Sequence, residues 1–428
     1  MQLPEDFIRQ TRLTMGDDRF GRFLKALDDD PPVSIRLQRD SPFVAEGPAD
    51  AVPWCPQGYY LPRRPAFTFD PLLHAGCYYV QEASSMFLYE VLRQHLPAEP
   101  VAMLDLCAAP GGKSTLIRSV LSDESLLVSN EPVRQRHQIL VENVTKWGGR
   151  NHLVTNNLPA DFRKAHTLFD AILCDVPCSG EGMFRKDPGA VAEWSLQNVQ
   201  RCQQLQREIV GEAWQCLREG GILIYSTCTY NILEDEENIR WMQEELGAEV
   251  LPVATQPDWG ITGSLLKGFE EPVYRFIPGF TRGEGLFMAV VRKKSLTPRS
   301  LTPGPSPKGE GSGHTRLLEN SKGHTRLLKA LKGLKLSTPL SFRRGAGGEA
   351  SVGEALFLPY PTAIAYLRGE AIVLPPDVPR GPVTVGFIGQ PLGQAKNIGN
   401  RANNLYPKEW RIKSTHVPKE YEPIITLE

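Results

Sequence analysis

An α/β fold with a mostly parallel sheet, covered on both faces, is predicted for the middle of this 428-residue chain. Three observations predict it. From about residue 100, short apolar runs alternate with longer amphipathic stretches. A glycine-rich turn, Asp105-Leu106-Cys107-Ala108-Ala109-Pro110-Gly111-Gly112-Lys113-Ser114-Thr115, joins the first apolar run to the stretch that follows. Two later apolar runs end in cysteine-bearing turns, Val176-Pro177-Cys178 and Ser226-Thr227-Cys228. Strands buried on both faces read as continuous apolar runs, and ligands of such sheets bind beyond the carboxyl ends of the strands.

Ahead of this core, Phe7, Ile8, Leu13, Phe20, Phe23, Leu24 and Leu27 recur at near-helical spacing until Asp28-Asp29-Asp30-Pro31-Pro32 ends the pattern. Ser34–Leu37 is a strand candidate, residues 50–75 are rich in aromatics and proline, and a helix is expected over Gln81–Leu96. The core then reads as strand Val101–Leu106, helix Lys113–Leu121, strand Leu126–Ser129, helix Val133–Trp147, strand His152–Thr155 and strand Leu168–Cys174. Helix Val191–Leu217, strand Gly221–Tyr225, helix Leu233–Leu246 and a final strand Gly285–Arg292 follow. Beyond residue 350, Ala371–Leu374 and Val383–Phe387 are strand candidates.

Residues 295–350 differ. Pro, Gly, Ser and Lys dominate without a sustained apolar period, which predicts a disordered or poorly packed insert without catalytic residues. Gly-His-Thr-Arg-Leu-Leu occurs twice, at Gly313–Leu318 and Gly323–Leu328. Leu301–Gly311 and Pro339–Glu349 can be encoded by reverse-complementary DNA, codon for codon. A translated DNA repeat with inverted ends accounts for both regularities, and unpaired codons at the two ends of the gene segment would remove that reading.

No apolar stretch is long enough to span a membrane, and Met1-Gln2-Leu3-Pro4-Glu5-Asp6 lacks the basic start and apolar run of a secretory signal. A cytoplasmic protein is expected. Its eight cysteines are dispersed and include no CxxC pair, so neither a disulfide framework nor a metal site is expected. The net charge of −1 argues against indiscriminate nucleic-acid binding. Any RNA contact must be local, as in Lys396–Lys413, where Lys396, Arg401, Lys408, Arg411 and Lys413 interleave with Tyr406 and Trp410. That pattern suits phosphate contact with base stacking and equally suits a solvated surface.

The 105–115 turn offers close backbone approach at Gly111 and Gly112, and unpaired N–H groups at a helix start. Asn130-Glu131 ends the next strand, where an acid can meet two ribose hydroxyls. Asn156-Asn157 ends the third strand and Asp175 the fourth. Gly112-Lys113-Ser114 also resembles the end of a phosphate-binding P-loop, but that motif needs glycine where this chain has Cys107, so a triphosphatase is the weaker reading. Taken singly, Cys178 and Cys228 read as packing residues. Two thiols beyond two apolar runs, one beside an acid, point instead to covalent chemistry. A thiolate can add to C6 of a pyrimidine and make C5 nucleophilic, a second group then removing the C5 proton. Spacing does not choose which cysteine attacks.

Asp105–Thr115, Asp175–Gly180 and Ser226–Tyr230 resemble the Sun family of RNA 5-methylcytosine methyltransferases. Ser34–Leu37, Val52–Cys55, Tyr78–Met86 and Gly399–Pro407 resemble its RsmF branch. The resemblance implies a Rossmann-like class I methyltransferase core with a mostly parallel seven-stranded sheet, an N-terminal α+β extension and a C-terminal PUA-like α+β module. The corresponding bounds are 1–98 for an RNA-binding extension, 99–294 for the core, 295–350 for the insert and 351–428 for the PUA-like module. It implies S-adenosylmethionine as cofactor, with the methionine part on Cys107, Ala108, Ala109, Pro110, Gly111, Gly112 and Lys113, the ribose on Glu131 and the adenine side on Asn157. Asp175 would bridge cofactor and cytosine, Cys228 would be the nucleophile, and Cys178 would assist proton removal and release. The third-strand position of the family usually carries an acid, where this chain has Asn157. The implied substrate is RNA, foremost 16S rRNA or the small ribosomal subunit, acted on by a monomer that binds no membrane. Transfer RNA methylation and an inactive ribosome-assembly factor are the alternatives.

Overall fold

The computed structural model describes residues 2–47, 49–294, 325, 327–337, 355–414 and 416–428. The N-terminal periodicity forms two helices, α1 (Glu5–Met15) and α2 (Asp17–Leu27), separated at Gly16, whose φ of +76° suits glycine. Phe7, Phe20 and Phe23 pack with Phe184, Trp194 and Tyr230, so the helix pair rests beside the turn that carries Cys228. Next comes an antiparallel sheet of β1 (Val33–Leu37), β3 (Asp50–Ala51), β4 (Gly58–Leu61) and β5 (Tyr78–Val80), in the order β3-β4-β1-β5. Outside it lies β2 (Phe43–Ala45). The short α3 (Pro71–His74) is capped by Asp70, whose side chain accepts from Leu72 N.

The helix expected over Gln81–Leu96 is shorter. A 3-10 turn spans Ser84–Phe87 and α4 spans Leu88–His95. Gln81 is held by the sheet instead: its N–H donates to Ser34 O and its Oε1 accepts from Arg36 Nε at 2.7 Å.

The core elements in chain order are β6 (Ala102–Asp105), α5 (Gly112–Val120), β7 (Leu126–Asn130), α6 (Arg134–Trp147), β8 (His152–Thr155), α7 (Pro159–Lys164) and β9 (Phe169–Asp175). After them come α8 (Pro188–Glu193), α9 (Leu196–Gln215), β10 (Leu217–Thr227), α10 (Glu236–Leu246), β11 (Ala248–Leu251), β12 (Tyr274–Phe276) and β13 (Leu286–Lys293). The main sheet runs β11-β13-β10-β9-β6-β7-β8. β8, β7, β6, β9 and β10 are mutually parallel, while β13 is antiparallel to β10 and β11. Those seven strands match the expected mostly parallel sheet, and β12, paired with β13, and a two-residue strand beside β8 bring it to nine. Strand order reverses between β6 and β9, the switch point where such sheets bind ligands.

Further features were not expected. One long helix over Val191–Leu217 is instead two, because Ser195 interrupts it and caps α9 by accepting from Asn198 N. Part of the 295–350 stretch is packed rather than loose. Leu327 and Leu331, one helical turn apart, are buried in the main core, and β14 (Leu336–Ser337) pairs antiparallel with the edge of β8. The inverted ends at 301–311 and 339–349 lie outside the described residues.

The C-terminal region contains β15 (Leu356–Phe357), α11 (Tyr360–Leu367), β16 (Gly381–Phe387), β17 (Gln390–Asn397) and β18 (Ala402–Asn404). Ala371–Leu374 supplies only a single bridge, Ile372 to Ala402, instead of a strand. This region shares one core with the N-terminal sheet, in which Ile35, Leu37 and Tyr78 join Leu358, Tyr366 and Phe387. The chain end, β19 (Ile425–Leu427), pairs with β2. Tyr406 is buried against Tyr366 and is not displayed for base stacking, and Trp410 lies edge-on to Tyr406 with Lys146 over its ring.

Candidate active site

The residues singled out from the sequence sit at the carboxyl edge of the parallel strands. The turn 107–113 leaves β6, Glu131 follows β7, Asn157 follows β8, Asp175 ends β9 and Cys228 follows β10. The turn is fixed from several sides. Ala108 N donates to Asn130 O, Arg136 Nη2 to Ala109 O at 2.9 Å, and Asn143 Nδ2 to Pro110 O at 2.8 Å. Gly111 opens α5 at φ +117°, a conformation that disfavours a side chain. A Cβ on Gly112 would sit 3.2 Å from the Tyr79 ring. Beneath the first turn of α5, the buried Arg36 donates to Thr115 Oγ1 at 2.6 Å and Gly112 O at 3.3 Å.

Glu131 is 1% exposed. Its Oε1 accepts from Val133 N, while its Oε2 has no hydrogen-bond partner and lies 3.6 Å from Arg136 Nη1. A buried carboxylate oxygen with unused acceptor capacity is a fit for a ligand hydroxyl.

Asn156 and Asn157 differ. Asn156 Nδ2 donates to Glu131 O and Pro132 O, so this side chain fastens the neighbouring loop. Asn157 engages the segment ahead of β14: Oδ1 accepts from Lys335 N at 3.0 Å and Nδ2 donates to Lys335 O at 3.2 Å. Nothing in the composition of 295–350 signals this latch.

Lys113 Nζ donates to Asp175 Oδ2 at 2.8 Å. Burial works against the ammonium, but Asp175 outweighs it, with a smaller contribution from Cys228, and the Lys113 pKa is raised. Lys113 is thus a fixed cation at the sheet edge next to both Asp175 and the Cys228 turn.

Adjacent strands bring the two cysteines together. Asp175 of β9 is in register with Ser226 of β10, and Val176 N donates to Ser226 O. Both chains then turn, and Cys178 Sγ comes 3.0 Å from Cys228 Sγ. Each sulfur is half-buried, whereas the other six cysteines are buried. The Cys178 thiol is pushed well above the usual range by its hydrogen bond to Cys228, then by burial, with the Cys228 and Glu234 charges adding to it.

Sequence reading missed the groups behind these turns. Glu181, Glu234 and Asn231 bind the two cysteine turns, and Arg275 bonds Tyr230 O at 3.1 Å while pairing with Asp235 and Glu236. The run of acids Glu234-Asp235-Glu236-Glu237 was the available signal: several acids just past a candidate nucleophile do not all fit a solvated surface.

A family model of 16S rRNA methyltransferase RsmB/F matches residues 94–292. The N-terminal domain of 16S rRNA methyltransferase RsmF matches residues 3–83, and the methyltransferase RsmF PUA domain matches 355–412. The ribosomal RNA small subunit methyltransferase F of Escherichia coli O157:H7 is 30% identical over 471 residues, spanning 95% of this chain and 96% of the relative. The enzyme of the same name from Pectobacterium atrosepticum is 35% identical over 262 residues; that match spans 60% of this chain and 53% of the relative. Among solved structures, NSun6 from Pyrococcus horikoshii with SFG aligns at a TM-score of 0.57 and 19% identity, over 68% of this chain and 98% of that one. A methyltransferase homologue from the same organism aligns at 0.54 and 24% identity, over 68% of this chain and all 100% of the other. At these identities the two structures show the fold.

Proposed function

The chain belongs to the 16S rRNA methyltransferase RsmB/F family, in its RsmF branch, and from that premise we propose that it methylates C5 of a cytosine through a covalent Cys228 adduct. It is an S-adenosylmethionine-dependent rRNA methyltransferase with a PUA domain, and RNA is its substrate. The observation that carries the finer reading is the 3.0 Å approach of Cys178 and Cys228 at the edge where Asp175 meets Lys113.

When bound, S-adenosylmethionine supplies an electrophilic methyl group. In our reading Cys107–Lys113 hold its methionine part, and Glu131 Oε2, buried and without a hydrogen-bond partner, accepts from a ribose hydroxyl. Asn157 Oδ1 keeps a second lone pair for the adenine amino group while Lys335 occupies the first. Cys228 Sγ adds to C6 of the cytosine, and the electrons of the C5–C6 double bond move to C5, which takes the methyl group. Asp175, fixed by Lys113, stabilises charge at N3 and N4 of the base. Cys178 stands on the neighbouring turn, its Sγ 3.0 Å from Cys228 Sγ. It assists removal of the C5 proton, after which the S–C6 bond breaks and the double bond returns. Small-subunit rRNA is the proposed target, and the N-terminal extension and PUA domain are proposed to hold it.

Incubation with small-subunit RNA and tritiated S-adenosylmethionine, followed by nucleoside analysis, tests this. Label should appear in 5-methylcytidine and fall at least about 10³-fold in Cys228→Ala. Label retained in that variant, or found in another nucleoside, contradicts the proposal.

A further inference from the structure

We propose that Glu181 and Glu234 are positioning residues that hold the two reactive sulfurs in register, each reaching from one cysteine turn to the other. The inference rests on reading Cys178 and Cys228 as the reacting pair. Glu181 lies just past Cys178 yet binds the Cys228 turn. Its Oε2 accepts from Tyr230 N at 2.6 Å and Asn231 N at 3.1 Å, and its Oε1 from Asn231 Nδ2 at 3.0 Å and Trp194 Nε1 at 2.9 Å. Glu234 lies just past Cys228 yet binds the Cys178 turn. Its Oε2 accepts from Ser179 N at 3.0 Å and from Gln206 Nε2 at 2.7 Å, and the same Gln206 amide donates to Pro177 O. Asn231 Nδ2 also donates to Glu234 Oε1 at 2.8 Å, so one amide joins the two carboxylates.

Glu181 and Glu234 are 1% and 0% exposed. Two neighbouring buried carboxylates are costly to keep, and apolar side chains could fill such a space at lower cost. What the crossed arrangement supplies is register. The turns already touch: Gly182 N donates to Cys228 O at 2.8 Å, and a Cβ on Gly182 would lie 2.9 Å from that oxygen. A shift of either carboxylate therefore moves one sulfur relative to the other. Each hydrogen-bond partner of the two carboxylates named above is an N–H donor, so glutamine at either position sets an NH₂ group against a donor and breaks the brace at nearly constant volume.

The test does not depend on the methylation reading. The full-length chain is oxidised with diamide, which takes the two thiol hydrogens, and the Cys178–Cys228 disulfide is followed by mass spectrometry. Glu181→Gln and Glu234→Gln should each slow its formation about tenfold or more, while Leu367→Ala, which loosens the separate C-terminal core, should oxidise at the wild-type rate. Asn231→Ala, lacking only the shared amide, should slow it severalfold and decides the question if the glutamine variants do not fold. In methyl transfer to small-subunit RNA, the glutamine variants should lose about 10²-fold in kcat with KM kept. Wild-type oxidation rates in Glu181→Gln, Glu234→Gln and Asn231→Ala would overturn the brace. Slowed oxidation in an enzyme that transfers no methyl group to RNA would leave the brace standing and overturn the reaction reading.

Discussion

Asp105, at the end of β6, is fully buried, and only one of its oxygens is satisfied, by Ser114 Oγ. Burial pushes its carboxyl up to about 7. Glu234 rises to about 7, chiefly by burial and then by the charge of Glu181. The sign follows from linkage. An acid whose pKa is higher folded than unfolded binds more protons when folded, so its contribution to stability declines as pH rises from the ordinary carboxylate range to the folded pKa. His74 and His152, both lowered to about 3 by burial, act in the opposite direction over an overlapping range. A difference measurement therefore isolates Asp105. Asp105→Asn is permanently neutral, and its melting temperature relative to the parent should climb by several degrees between about pH 4 and pH 7 and then level off. A difference independent of pH would contradict the raised pKa.

Strands and turns decide which residues meet. The β6–α5 turn, the strand ends carrying Glu131 and Asp175, and the edge carrying both cysteines were legible because each depends on a local pattern: an apolar run, then a glycine turn or an acid. β12 and the short β11 were not legible, because their neighbour β13 contributes the pairing that defines them. The Glu181–Asn231–Glu234 brace was equally hidden, since it is a contact between two turns about fifty residues apart, and spacing along the chain does not encode it. β14 was missed for another reason: biased composition masked the i, i+4 pair Leu327 and Leu331 that anchors it. Two Asn157 hydrogen bonds tie that element to β8, each of about 1 kcal/mol. Asn157→Ala should accordingly speed amide exchange at residues 335–337 about tenfold or more while leaving β7 unchanged. Unaltered exchange at 335–337 would mean that the pairing of β14 with β8 and the burial of Leu327 and Leu331 hold the element without Asn157.

At the scale of the whole molecule, the regions before and after the catalytic sheet share one core. The N-terminal sheet and the C-terminal region pack through Ile35, Tyr78, Tyr366 and Phe387, and the last strand returns to β2, so the family's N-terminal and PUA domains form a joint body beside the catalytic sheet. No helix of the described residues is long and apolar enough to cross a membrane. Enzymes that act on a base inside structured nucleic acid withdraw it from its stack. The central claim is that the two sulfurs have unequal tasks, with Cys228 bonding to the base and Cys178 releasing it. The direct measurement incubates the full-length Cys178→Ala chain with small-subunit RNA and S-adenosylmethionine and resolves the products on a denaturing gel. A slowed protein–RNA band should accumulate in Cys178→Ala and vanish when Cys228→Ala is added. A covalent band that instead persists in Cys228→Ala and requires Cys178 would contradict the assignment.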